Sequence, residues 1–318
     1  MSRWFARAST RLRRGLPLLA LAATPGAALA SPPLPPHPLP GMVARIPARP
    51  AFARTGSQLA GQLRDLPAEE RRQVLLDQFL AGNLPSFLRE LHPVELELDK
   101  GDELVHAVVF VTPDYLALGS DADFVRMPMG LNAATTLARR WGFILPTRKL
   151  VDAIHAQSQL KLEPRPMPAG PRMTSVDYLW RHNRTIEAQR AGHSLGALIS
   201  GHKKDLVVSN RLAERAGRVA IYGWHLPGGE PIQPLSTLHG ARYADYSHGV
   251  RLVSNTIFIE GQARSIFDVL EDPELAELVS YEGVNSHARR VFAPPPAAEP
   301  ALKLAARGMR QRLGPLPE

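Results

Sequence analysis

Six of the eleven histidines in this chain fall between His182 and His248. Histidine titrates near neutral pH, which makes it the usual general acid or base. The other polar residues of this stretch have the types that assist it. Gly201-His202-Lys203-Lys204-Asp205 precedes an apolar run, and Tyr222-Gly223-Trp224-His225 ends another. Pro231-Ile232-Gln233-Pro234-Leu235 and His239 follow, and then the string from Tyr243 to Arg251, which contains Asp245-Tyr246-Ser247-His248-Gly249. The catalytic candidates are His225, His239, Asp245, Tyr246, His248 and Arg251. Lys204, Asp205, Tyr222, Gln233 and Tyr243 are the candidates for holding a substrate. Asp205 or Asp245 can orient an imidazole, and Arg251 or Lys204 can neutralise an anionic group or a developing oxyanion. Each residue taken singly also has a plainer reading, as a hydrogen-bonded packing residue; the combination is what points to a site.

Two mechanisms fit this set. In the first, His225, His239 and His248 bind zinc with Asp245 nearby, and the metal activates water. No H-x-H or H-E-x-x-H pair supports it. In the second no metal is used: His248 or His225 is the base, Tyr246 the proton donor and Arg251 the substrate clamp. Ser247 is a further nucleophile candidate, although neighbours on a strand point to opposite faces, which separates it from His248. Gly192-His193-Ser194-Leu195-Gly196 matches the G-x-S-x-G pattern of serine hydrolases, but the polar, helical stretch before it is not the buried strand that such an elbow needs. Asp121-Ala122-Asp123 has the start of a calcium loop without its remaining ligands and reads as a capped turn.

The elements that must position these residues are expected to form an α+β fold. The N-terminal part is mostly helical with a few strands, and the C-terminal part is mostly antiparallel β. Pro67-Ala68-Glu69-Glu70 starts a helix, and Gly82-Asn83 stops it. Val94, Leu96 and Leu98 alternate with glutamates, as in a half-buried strand. Further strands are expected over 106–111 and 115–118, and helices over 131–141, 148–158 and 175–190. Beyond Gly192, strands are expected over 206–209, 219–224, 250–253 and 256–259, then helices over 265–270 and 274–279. The domain organisation follows as a leader (1–30), a proline-rich tether (31–54), one α+β domain (55–292) and a flexible tail (293–318).

The leader has a basic start, an apolar centre from Leu16 to Ala23 and the small-x-small site Ala28-Leu29-Ala30, the layout of a secretory signal peptide. Arg13-Arg14 leaves open whether the route is general or twin-arginine. The expected location is therefore periplasmic or secreted. The leader holds five of the 38 basic residues and no acidic one, which leaves 33 against 30. That small excess argues against nucleic acid as a partner. No stretch of the mature chain reads as a membrane span. The absence of cysteine excludes disulfides, thiolate catalysis and Cys-ligated zinc.

Several strings taken together, Lys203-Lys204-Asp205, Tyr222-Gly223-Trp224-His225, Pro231-Ile232-Gln233-Pro234-Leu235 and Asp245-Tyr246-Ser247-His248-Gly249 among them, resemble a family of exported microbial proteins of no assigned activity. The likeness spans about residues 90–280 and implies one family-sized domain, but no catalytic residue. The expected function is that of an exported hydrolase acting on a cell-envelope or extracellular polymer. The alternatives are a non-catalytic binder of an envelope glycan or anionic ligand, and a metal-free polysaccharide lyase using Tyr and His. Zinc is the one cofactor in question.

Overall fold

Local sequence explains how the first helices begin. In Gly56–Leu63 (α1) the Gln58 side chain accepts from the Thr55 amide at 3.0 Å, which satisfies one of the donors left open at a helix start. Pro67 precedes Ala68–Leu80 (α2), with Glu69 and Glu70 in its first turn. Leu75 and Phe79, four residues apart, form its buried stripe. Asp121 and Asp123 cap other turns: Asp123 accepts from Ser57 Oγ at 2.6 Å, and Asp121 from the Ser86 amide at 2.6 Å. The structure is a computed structural model. It describes residues 45–293; the leader, the tether before residue 45 and the tail from 294 lie outside the described residues. Ile46 is buried in the core and Arg49 Nε donates to Asn83 Oδ1 at 2.9 Å, so packing begins within the stretch read as tether.

The strands form two principal sheets. The first takes His92–Asp99 (β1) and Leu104–Val111 (β2) from the N-terminal part. Their partners are Val253–Ile259 (β12) and Gln262–Ser265 (β13), in the order β1-β2-β12-β13, and the short Phe143–Ile144 (β5) also pairs with β12. In β1, Val94 and Leu96 face inward while Glu95 and Glu97 face solvent, as the alternation requires. β2 is buried along nearly its whole length because both its faces are covered. The second sheet has the order β10-β9-β8-β11, from Pro231–Ser236 (β10), Ala220–His225 (β9), Lys204–Val207 (β8) and His248–Gly249 (β11). β10 carries two prolines, which argue against a central strand; it lies at the sheet edge, where a missing amide donor is tolerated. β11 runs parallel to β8, as does Leu160–Lys161 (β6) to Ile199–Ser200 (β7). A hairpin of Ala117–Ser120 (β3) and Asp123–Arg126 (β4) completes the strands.

Leu131–Trp141 (α3), Arg148–Gln157 (α4) and Val176–Gln189 (α5) match the expected helices to within a residue or two. Three short helices close the described chain: Ile266–Glu271 (α6), Ala276–Val279 (α7) and Ala288–Val291 (α8). The fold is mixed α+β, with its helices concentrated early and its strands late. The expected strand over 250–253 is absent as such. Val250 and Leu252 instead accept hydrogen bonds from Leu116 and Thr112, a crossing that turns the chain from β11 into β12. Among the described residues no helix is long and apolar enough to cross a membrane.

A buried charge cluster joins the two halves. Arg126 on β4 contacts Asp114 at 2.5 Å, and both side chains are 1% exposed. Arg126 also donates to Asn183 Oδ1 at 3.0 Å and Glu187 Oε1 at 2.8 Å on α5, while His202 Nε2 lies 3.0 Å from Asp114 Oδ1. Burial pushes the Asp114 carboxyl up, but Arg126 and His202 outweigh it and hold it well below the usual range. Arg126→Met strands that carboxylate without its cation, and breaking a buried pair from one side costs about 3–5 kcal/mol. Chemical denaturation is expected to show that loss, and the double variant with Asp114→Leu to recover most of it. A loss below about 1 kcal/mol in the single variant would contradict this role for the cluster.

Candidate functional site

The loop between β10 and β11 is held on both sides. The Val219 amide donates to His239 O at 3.1 Å and the Ala241 amide to Gly217 O at 2.8 Å. The Leu131 amide, at the start of α3, donates to Ala241 O at 2.7 Å. That approach needs Gly130, because a Cβ there would lie 2.6 Å from Ala241 O and 2.9 Å from Arg242 Cα. Arg242 and Tyr243 are thereby seated beside the N-terminal end of α3.

Asp245 is the centre of this loop. Its Oδ1 accepts from the Ser247 amide at 2.8 Å and from Ser247 Oγ at 2.6 Å. Its Oδ2 accepts from the Tyr243 hydroxyl at 3.0 Å. The His239 ring stacks on Tyr243 at 4.2 Å and stands 5.9 Å from the His248 ring. His248 Nε2 lies 3.9 Å from Asp245 Oδ2, too far for a hydrogen bond, and neither ring nitrogen of His248 has a partner among the described residues. Burial pushes the Asp245 carboxyl up, but His248 and the donors on Ser247 and Tyr243 outweigh it and leave it below the usual range. Burial lowers His248 to about 4, and burial together with the Asp245 charge raises the Tyr243 phenol to about 12. At neutral pH the unit is therefore a phenol donating to a carboxylate, backed by a neutral imidazole.

Tyr243 and Arg242 form one wall of an open cleft of about 410 Å³, bounded by α2, the start of α3 and Leu179 of α5. This is a normal size for a small-molecule site. Its walls are mostly apolar. Arg71 and Arg242 reach it without a carboxylate partner among the described residues, while Arg72 pairs with Glu69.

His225 belongs to a different group. Its Nε2 lies 2.8 Å from Asp152 Oδ1, and the Tyr222 hydroxyl donates to the same oxygen at 2.9 Å. Residues three apart on a regular strand face opposite sides. Here Gly223 and Trp224 have φ of 103° and 56°, which turns both side chains towards one carboxylate. A left-handed tryptophan is a strained conformation, of the kind that concentrates where geometry matters. His155 stacks on His225 at 4.6 Å and bonds Ser200 Oγ through Nδ1 at 2.9 Å. Sequence reading missed Asp152 and His155. Their spacing with Arg148 on α4 (i, i+4, i+7) places all three on one helical face, which was the available signal.

The remaining candidates take structural places. Arg251 is buried, donates to Thr112 O at 2.7 Å and Ile199 O at 2.6 Å, and lies 4.5 Å from the Tyr115 ring centroid; it does not face the cleft. Asp205 accepts from the Tyr115 hydroxyl at 2.7 Å, and burial lifts its carboxyl to about 6. The Tyr246 hydroxyl bonds the Met167 amide at 2.7 Å, and its ring packs against His182 at 5.0 Å, so Tyr246 anchors the 164–171 connector. Tyr243 is the tyrosine that meets Asp245. Lys204 is half-buried over Trp224, and the Gln233 amide turns back to Pro234 O at 2.8 Å. His225 and the pair His239/His248 thus lie in separate groups. Among the described residues no three His, Asp or Glu side chains are placed to hold a metal ion, so the ligand set His225, His239 and His248 is not assembled. The serine of the G-x-S-x-G string sits in an exposed turn after α5 and accepts from the Gly196 amide at 3.3 Å, outside any strand-to-helix elbow.

No protein-family model matches the sequence, no curated protein is detectably similar to it, and no solved structure matches its fold.

Proposed function

We propose that the protein is an exported hydrolase that acts on an envelope or extracellular polymer at the cleft beside Tyr243. The observation that carries this reading is the 3.0 Å contact from the Tyr243 hydroxyl to Asp245 at the wall of a cleft with arginines on its rim. A perturbed carboxylate–phenol pair next to a cavity of ligand size is a physical reason to look for acid/base chemistry there. A water molecule at the cleft wall gives its proton to the Tyr243 oxygen as Tyr243 passes its own to Asp245 Oδ2. The hydroxide attacks the scissile centre, and the proton taken up by Asp245 returns through Tyr243 to the leaving group. The hydrogen bonds from Ser247 and Tyr243 keep Asp245 a carboxylate at neutral pH, the form that can accept a proton.

The two arginines without carboxylate partners favour one second reading, a Tyr/His lyase. Such an enzyme neutralises a uronate carboxylate before it abstracts the neighbouring proton, and Arg242 and Arg71 are placed to do that. Product chemistry separates the readings. The protein incubated with purified envelope glycans is expected to release reducing ends or amines. An unsaturated product absorbing in the ultraviolet would replace hydrolysis by elimination. Glycan retained on the protein with no product of either kind would refute both.

A further inference from the structure

The cleft combines two features that a purely polar sugar site would not need together. Leu75, Leu76, Met129 and Leu179 supply an apolar floor. Arg71 and Arg242 supply positive charge that forms no ion pair among the described residues; Glu69 on the same rim pairs with Arg72 and only feels the charge of Arg242. The start of α3 also faces the cleft through Asn132 and Ala133, and a helix N-terminus adds partial positive charge. An uncharged chain would leave the arginines unused. A bare inorganic anion or a highly charged sugar would leave the apolar floor against water, giving up the burial that makes such walls favourable.

We infer that the cleft takes an amphiphilic anion, with an anionic-oxygen head group against Arg242 and Arg71 and an apolar body lying on Leu75, Leu76, Met129 and Leu179. This deepens the hydrolase reading by naming the part of the polymer that the cleft holds, an anionic group beside an apolar one, and it rests on that reading only for the step from binding to turnover. Tyr243 is the next residue after Arg242 and lines the same wall, so a bond close to the head group is the one presented to the Tyr243–Asp245 pair. Glu69 sets the strength of the head-group site, because its carboxylate occupies Arg72 on the rim.

Binding is tested on the full chain by calorimetry, with dodecyl phosphate as the probe and dodecanol and inorganic phosphate as its two halves, all below micellar concentration. Dodecyl phosphate is expected to bind at least tenfold more tightly than either half. Arg242→Gln, at an exposed position, is expected to weaken it ten- to a hundredfold, with Arg242→Lys recovering part of the loss. Glu69→Gln is expected to tighten it two- to fivefold by releasing Arg72. Opposite signs from two rim substitutions keep the test decisive even where one variant folds poorly. Equal binding of dodecanol and dodecyl phosphate, or affinity unchanged in both rim variants, would overturn the inference. Tight amphiphile binding with no hydrolysis of any envelope polymer would sink the hydrolase reading and leave this site standing. Hydrolysis that dodecyl phosphate does not inhibit would do the reverse.

Discussion

Tyr243→Phe is expected to lower turnover by about 10²–10⁴-fold, the usual contribution of a positioned proton-transfer group. The cleft keeps its shape, because only the hydroxyl is removed. The variant also leaves Asp245 Oδ2 without the donor now at 3.0 Å, and an unsatisfied buried acceptor costs about 1–3 kcal/mol. Substrate affinity therefore stays close to that of the parent while kcat falls. Asp245→Asn is expected to lose turnover similarly, because an amide cannot take the proton that Tyr243 passes on. His225→Ala, in the separate group around Asp152, is expected to change stability more than kcat. A Tyr243→Phe enzyme that keeps a tenth or more of parental kcat would remove Tyr243 from the mechanism.

Stability is expected to fall steeply between pH 6.5 and 4. Burial lowers His155, His202 and His248 to about 4 and His182 to about 2. In this window the unfolded chain carries protons on these four imidazoles and the folded chain does not. A depressed folded value stabilises the fold above the unfolded pKa and withdraws that stability as pH falls. Asp205 acts in the opposite direction, because burial raises it to about 6 and the folded state takes up that proton first. The net difference is about three protons, and each changes the unfolding free energy by about 1.4 kcal/mol per pH unit. Melting followed at pH 7, 6 and 5 is expected to show the drop. His182→Phe removes a ring whose two nitrogens have no partner among the described residues, so it is expected to shorten the drop by one proton and to raise stability at pH 5. A melting temperature that stays flat from pH 7 to 5 would show that these imidazoles are not held neutral.

Much of the local structure was legible in the residues alone. α2 starts at a proline followed by acids, and β1 alternates valine and leucine with glutamate. α3 ends at Gly142, where the chain takes a left-handed turn. These features follow from interactions within a few residues, which periodicity and capping chemistry record. The nearness of His239, Asp245 and His248 was legible for the same reason, since one loop runs through the first two into β11; that Tyr243 and not Tyr246 meets Asp245, and that His225 stands apart, was not.

Only the tertiary structure decided which groups meet across the chain. The pairing of β8 with β9 and β11 fixes where Tyr222, His225 and His248 stand, and that register depends on partners far away in sequence. Asp152 reaches His225 from a helix, and Asp114, Arg126 and His202 close into one cluster from three separate segments. Two left-handed residues in β9 overrode the alternation that would have sent Tyr222 and His225 to opposite faces. The cleft exists only because α2, α3 and residues 241–244 pack together at Gly130. Sequence determines the chemistry each residue can offer within its own element; packing between elements decides which of those offers share a carboxylate or a cavity.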